Sequence, residues 1–240
     1  MVLTVFLFAS GVRYLLTSEP IMVWSFFFGL VIASSFVVAG EISRFGIDLM
    51  LAAVTGLVIG LIITSLVPVQ LPASPWALFV GGAIAVCAWI LPGISGSFIL
   101  LILGLYAFVL DSISRLDVVS LGALAMGCAI GLVSFARLLS SLFRHFRNET
   151  LAVLTGFMLG SLVKLWPWKQ TLSYQLRDDG SQIPLVQKPV MPEAYFEITG
   201  SEPQIAAAIG MAIFGLVIVF VIDWMATRRD AHEDPPTGNA

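Results

Sequence analysis

Pro92, Gly93, Ser95, Gly96 and Ser97 interrupt an apolar stretch, in the run Leu91-Pro-Gly-Ile-Ser-Gly-Ser-Phe98. The flanking segments, Trp76 to Ile90 and Phe98 to Leu110, carry no charge. Pro92 lacks an amide hydrogen and disfavours helix at Leu91. Gly93 and Gly96 admit backbone shapes closed to other residues. Ser95 and Ser97 stand where hydroxyls cap the start of a helix. This spacing predicts a helix ending near Leu91, another starting near Ser97, and non-helical backbone between them. Inside a membrane such backbone survives only where protein or water satisfies its polar groups. Broken helices of this kind mark substrate sites in transporters. Amides and hydroxyls at the start of a returning helix are donors open to a bound group.

Positive charge inside a predicted helix comes from Arg137, whose guanidinium offers a planar fork of donors. Arg13 holds a related place in an earlier helix. Both lie close enough to helix ends that snorkelling to the interface is the competing reading. Lys164 reads as interfacial, and Trp166-Pro167-Trp168 as an interfacial aromatic anchor. Catalytic alternatives are thin. The two histidines are His145, in a basic turn, and His232, in the tail. Cys87 and Cys128 fall in apolar spans and read as small buried residues. No metal set, cofactor motif or nucleophile with its base is indicated, so an intramembrane enzyme such as a lipid phosphatase is disfavoured.

The elements that must hold these residues are membrane helices. The chain has 240 residues, 58% hydrophobic and 11% charged, with mean hydropathy +0.98. A soluble domain carries about 25% charge. The fold class expected is an all-α polytopic membrane protein. Apolar segments run from Met1 to Leu16, Ile21 to Ala39 and Ile47 to Leu66. The broken element, 76–113, follows, and then helices at 118–143, 151–166 and 205–225. Residues 167–202 form an extramembrane segment, with short strands around Ile183 to Val190, and 228–240 read as a disordered tail. Gly56-x-x-x-Gly60 and Gly127-x-x-x-Gly131 permit close helix packing. Met1 to Leu16 lacks the basic start and cleavage site of a signal peptide. It is short for a span of about 20 residues, and reads as a membrane helix without its beginning.

An internal repeat organises the segments. Ser10-Gly-Val-Arg13 parallels Ser134-Phe-Ala-Arg137, and Phe28-Gly29 parallels Thr155-Gly156, at offsets of 124 and 127 residues. Residues 1–66 would then be the remainder of a first repeat and 67–227 a second. Pro92 lies 42 residues before Ser134, which puts its counterpart ahead of Met1. The expectation is an inverted-repeat transporter with a re-entrant hairpin and an incomplete first repeat. A hairpin adds no net crossing, so each repeat crosses three times and the two are inverted. The hairpin places Arg44, Arg144, Arg147, Arg228 and Arg229 on one side, taken as cytoplasmic.

Gly82-Ala-Ile-Ala, the run from Ile90 through Pro-Gly-Ile-Ser-Gly-Ser-Phe to Gly104-Leu-Tyr106, Gly160-Ser161-Leu162 and Trp166-Pro167-Trp168 resemble the signatures of a bacterial membrane family. It is the polyprenyl-phosphate (undecaprenyl phosphate) transporter family, formerly a domain of unknown function. The resemblance covers Phe26 to Trp168 well and the last helix loosely. The family's earlier Pro-Gly-Val-Ser-Gly-Gly-type copy is not present in these residues, in keeping with the offsets.

The resemblance implies a lipid flippase that returns undecaprenyl phosphate from the outer to the cytoplasmic leaflet for cell-envelope glycan synthesis. A pocket open sideways to the bilayer would take the headgroup while the prenyl tail stays in lipid, because a bare anion in hydrocarbon costs many kcal/mol. The binding set expected is Pro92, Gly93, Ser95, Gly96, Ser97, Arg137 and Arg13. Its partners are the polyprenyl phosphate and membrane lipids, with a coupling ion and a homo-oligomer left open and no nucleic acid. The alternatives are a secondary transporter of another small anion or solute, and an inactive truncated remnant.

Overall fold

The computed structural model describes residues 15, 18–44, 46–66, 69, 71–92, 95–176 and 182–233. Arg13, Gly93, most of the first apolar segment and the tail beyond Glu233 lie outside the described residues. The described chain is helical apart from one two-stranded sheet. Among the described residues four helices are long and apolar enough to cross a membrane, or five when a bent pair is counted as one span. An all-α polytopic membrane fold is what the composition requires.

The chain divides into two compact units. The first holds α1 (Pro20–Gly40) and α9 (Ile205–Glu233), together with 164–169 and the chain from Pro189 onward. α1 and the first two-thirds of α9 have no polar face, so shape selects the contact face there. Small residues do that. A side chain at Gly29 would run into the backbone of Ala212, and one at Gly215 into that of Phe26. These pairings run in opposite senses along the chain, so α1 and α9 are antiparallel. α9 continues eight residues past the expected end at Met225.

The second unit spans Glu41–Val163 and Gln170–Lys188. It contains α2 (Ile47–Ser65), α3 (Pro75–Ile90), α4 (Gly96–Ile102), α5 (Tyr106–Ser114), α6 (Val118–His145) and nearly all of α7 (Arg147–Leu165). Gly56 packs on Val153 and Gly60 on Phe157, so α2 and α7 run parallel at close range. Their starts are joined by charge. Arg44 pairs with Asp48 and Glu149, Arg147 pairs with Glu41 at 2.8 Å, and the Ser43 amide donates to Asn148 Oδ1. Gly127 packs on Phe79 and Gly131 on Ala83, so α3 and α6 also run parallel. Both Gly-x-x-x-Gly pairs are therefore packing surfaces.

Strands β1 (Lys169–Leu176) and β2 (Gln182–Pro189) pair in a two-stranded sheet, with β2 on the expected strand. The short helix α8 (Pro192–Thr199) follows and ends at Gly200, whose φ of 67° is left-handed.

Candidate functional site

Helix α3 ends where the sequence requires. Its last residue is Ile90, and Leu91 is extended at φ −74° and ψ 127°. The chain turns at Pro92 and re-enters helix at Gly96. Ser95 is the N-cap, also extended at φ −90° and ψ 136°. α4 then folds back along α3. A Cβ at Gly96 would sit 2.6 Å from the Ala85 carbonyl oxygen, a separation real Cβ atoms do not show, so only glycine allows this approach. Ala85, Ala88 and Ile99 form the buried seam of the hairpin, joined by Phe157 of α7. At its far end the amides of Val69 and Leu71 donate to the carbonyls of Ile102 and Leu103, at 2.7 and 3.2 Å. The chain thus leaves α4 beside the loop from which it entered α3.

The returning arm differs from the expected uninterrupted segment to Leu110. It breaks again at Gly104, where φ is 72°, and α5 departs from α4 at 104°. A left-handed residue without a Cβ makes that corner at little cost. α5 leads through a turn to Asp117, which caps α6 by accepting from the amides of Val119 and Ser120 at 3.1 and 3.2 Å. Hydrogen bonding, chiefly from Ser120, holds the Asp117 carboxyl below its ordinary range.

At the break the Ser95 and Ser97 hydroxyls are 2.7 Å apart and both residues are exposed. Neither hydroxyl caps the helix; the first amides to donate within α4 are those of Phe98 and Ile99, both to the Ser95 carbonyl. The amides of Gly96 and Ser97 precede them. Ser95, Gly96 and Ser97 line a cavity of about 410 Å³ whose other walls are Ala85, Val86, Trp89 and Cys128. Two hydroxyls and the leading amides of α4 thus stand in residues that line a mostly apolar cavity, groups able to donate to an oxyanion. α4 is only seven residues long, so the local donors matter more than any helix dipole.

A second cavity, about 420 Å³, lies under Leu91 between α2, α6 and α7. Ile63, Phe135, Leu139, Leu142 and Phe157 make its walls, and Glu149 and Thr150 are its polar edge.

The expected residues are not all brought together. Pro92, Ser95, Gly96 and Ser97 are neighbours in the break, whereas Arg137 lines a separate groove of about 420 Å³ with Ser140, Ser141, Arg144 and His145. It is exposed on α6, away from the face that Gly127 and Gly131 pack on α3.

In the Trp166-Pro167-Trp168 run, expected as an interfacial anchor, both indoles are bonded within the protein. Trp168 is buried and donates its indole N–H to the Pro203 carbonyl at 2.8 Å, while Trp166 donates to Val190 at 2.8 Å. A buried indole needs such an acceptor, and these two tie the chain after β2 to the first unit. Beside them Lys169 places its ammonium 3.3 Å from the centre of the Trp24 ring. Burial, with the nearby charge of Lys164, pushes the Lys169 ammonium down to about 7. Sequence reasoning passed over this lysine; two lysines five residues apart astride two tryptophans were the available signal.

Residues 1–183 match a family model described as undecaprenyl phosphate translocase-like. The chain is 39% identical over 220 residues to a polyprenyl-phosphate transporter of Vibrio cholerae, covering 92% of this chain and 71% of that protein. It is 33% identical over 97 residues to a polyprenyl-phosphate transporter of Staphylococcus aureus, covering 37% of this chain and 34% of that protein. No solved structure matches. With most of its length under the family model, the chain belongs to the undecaprenyl phosphate translocase-like family of multi-pass membrane proteins.

Proposed function

We propose that this protein moves polyprenyl phosphate across the membrane, returning it from the outer to the cytoplasmic leaflet for reuse in envelope glycan synthesis. The observation that carries the reading is the uncharged α3–α4 hairpin, whose break presents Ser95, Gly96 and Ser97 to a cavity. The phosphate would accept from these hydroxyls and amides, which replace the water it leaves. Pro92, without an amide hydrogen, keeps the helix from running on there. The apolar cavity under Leu91 would receive the first isoprene units of the tail; its volume falls within the about 300–1,000 Å³ of ordinary ligand pockets.

Arg137 enters this reading as a second cationic contact, in the groove it shares with Arg144, reached as the headgroup leaves the break. Arg13 would be its counterpart in the preceding repeat. The two repeats, 1–66 and 67–227, would be inverted, so that the two arginines approach from opposite faces. The protein acts as a carrier and catalyses no bond change.

The test is in cells lacking their own carrier-return proteins. Expression of the chain should restore tolerance to an agent that captures surface undecaprenyl phosphate. The Ser95→Ala/Ser97→Ala pair should lose that protection at equal membrane abundance. Full protection by the double variant would overturn the site.

A further inference from the structure

The chain has six tryptophans, and five of them are engaged within the protein. The Trp24 ring receives the Lys169 ammonium, Trp76 stacks on Phe79 at 5.2 Å, and Trp224 lies under the Arg228 guanidinium at 3.9 Å. Trp166 and Trp168 donate to carbonyls. Trp89, one residue before the end of α3, is the exception. Its indole has no hydrogen bond and no ring contact among the described residues, and the residue is 76% exposed.

The hairpin sets where this indole stands. The Trp89 Cβ lies 3.5 Å from the point a Cβ on Gly96 would occupy, so the side chain leaves α3 beside the start of α4. Trp89 lines the same cavity as Ser95, Gly96 and Ser97, where the remaining walls are the small side chains of Ala85, Val86 and Cys128. The cavity thus joins a cluster of donors to one broad aromatic surface. A ligand that matches both has an anionic head with a flat apolar group attached directly to it. A prenyl phosphate is built that way: the carbon that bears the phosphate is followed at once by a trisubstituted double bond. Such an alkene is planar and lies well on a ring face, whereas a saturated chain has no plane to match. Tryptophan brings a large, rigid contact area, and binding energy at recognition surfaces concentrates on such side chains.

We propose that Trp89 is a specificity-determining residue. Its ring takes the first double bond of the prenyl chain beside the Ser95–Ser97 donors, and so distinguishes polyprenyl phosphates from saturated alkyl phosphates. From there the chain passes Leu91, two residues on, into the apolar cavity beneath it. The inference rests on the reading of the break as the headgroup site.

The test is competition binding on the purified full chain in detergent, with radiolabelled farnesyl phosphate displaced by unlabelled farnesyl phosphate or by dodecyl phosphate, the saturated straight chain of matching length. Trp89→Ala removes the ring, Trp89→Phe keeps an aromatic face, and thermal unfolding shows that each variant is folded. Wild type should prefer farnesyl phosphate. In Trp89→Ala the affinity for farnesyl phosphate should fall about tenfold, with dodecyl phosphate little changed, so that the preference disappears; Trp89→Phe should retain most of it. A merely structural loss, or loss of a membrane anchor, would weaken both lipids alike and leave the preference intact. An unchanged preference in folded Trp89→Ala would overturn the inference, as would a wild type that does not distinguish the two lipids. The Ser95→Ala/Ser97→Ala protein, assayed in parallel, should bind both lipids more weakly and keep the preference. Its weakening with the preference intact in Trp89→Ala leaves the break standing and this inference refuted. Loss of preference in Trp89→Ala with the serine variant unaffected refutes the headgroup reading and keeps the prenyl contact at Trp89.

Discussion

Gly96 and Ala85 are pressed together so closely that a methyl group on Gly96 would lie 2.6 Å from the Ala85 carbonyl oxygen. The contact closes the hairpin and sets where Ser95 and Ser97 stand. Gly96→Ala should force the arms apart. Overpacking of this kind costs about 1–3 kcal/mol. A fall of several degrees in the unfolding midpoint in detergent, with a larger loss of transport, is the expected pair of results.

Gly104 turns the corner between α4 and α5 with φ 72°. An L side chain there costs about 1–2 kcal/mol. Gly104→Ala should therefore lower the midpoint, and Gly104→Asn should lower it less, because asparagine tolerates the left-handed region. Equal effects would mean that the corner relaxes rather than strains.

How much of this was legible follows from the range of each cause. The stop at Ile90 and restart at Gly96 were readable because proline and glycine act on their own and adjacent residues. The packing role of Gly127 and Gly131 was readable from helical spacing alone. The side of Arg137 was derivable too: six residues past Gly131, at 3.6 residues per turn, is about 120° round the helix. The corner at Gly104 was hidden because one glycine in an apolar run has no local signature of its φ. The fate of Trp166 and Trp168 was out of reach, since their acceptors stand 24 and 35 residues away. Composition marks an interfacial tryptophan; it does not say which carbonyl the indole finds.

Asp117 caps α6, and its carboxyl is held below the ordinary range. For an acid with a lowered folded pKa, the stabilisation is present above the unfolded value and disappears as pH falls through the folded one. Unfolding midpoints should therefore drop as pH falls below about 4, the ordinary aspartate range. Asp117→Asn should remove that dependence while keeping most of the cap, since asparagine caps as well. Asp117→Ala should lose both.

Lys169 has the opposite sign. Its folded pKa, about 7, lies below the ordinary 10.5. The unfolded chain therefore binds the proton more readily, and stability should rise with pH between about 7 and 10.5. The buried charge costs on the order of a few kcal/mol below that window. Lys169→Met should be more stable than wild type near pH 6, and the two should converge near pH 10. A wild-type midpoint flat across that range would show that the ammonium is solvated.

The central claim is that the polar break in the α3–α4 hairpin carries an anionic lipid head across hydrocarbon. Its most direct measurement is the flux of a fluorescent short-chain polyprenyl phosphate between leaflets of proteoliposomes containing the full chain. Leaflet position is read by quencher access. The expected result is protein-dependent flux, at least tenfold slower in Ser95→Ala/Ser97→Ala and absent for the matching polyprenol. Equal flux in wild type and the double variant, or equal movement of phosphate and alcohol, would contradict the claim.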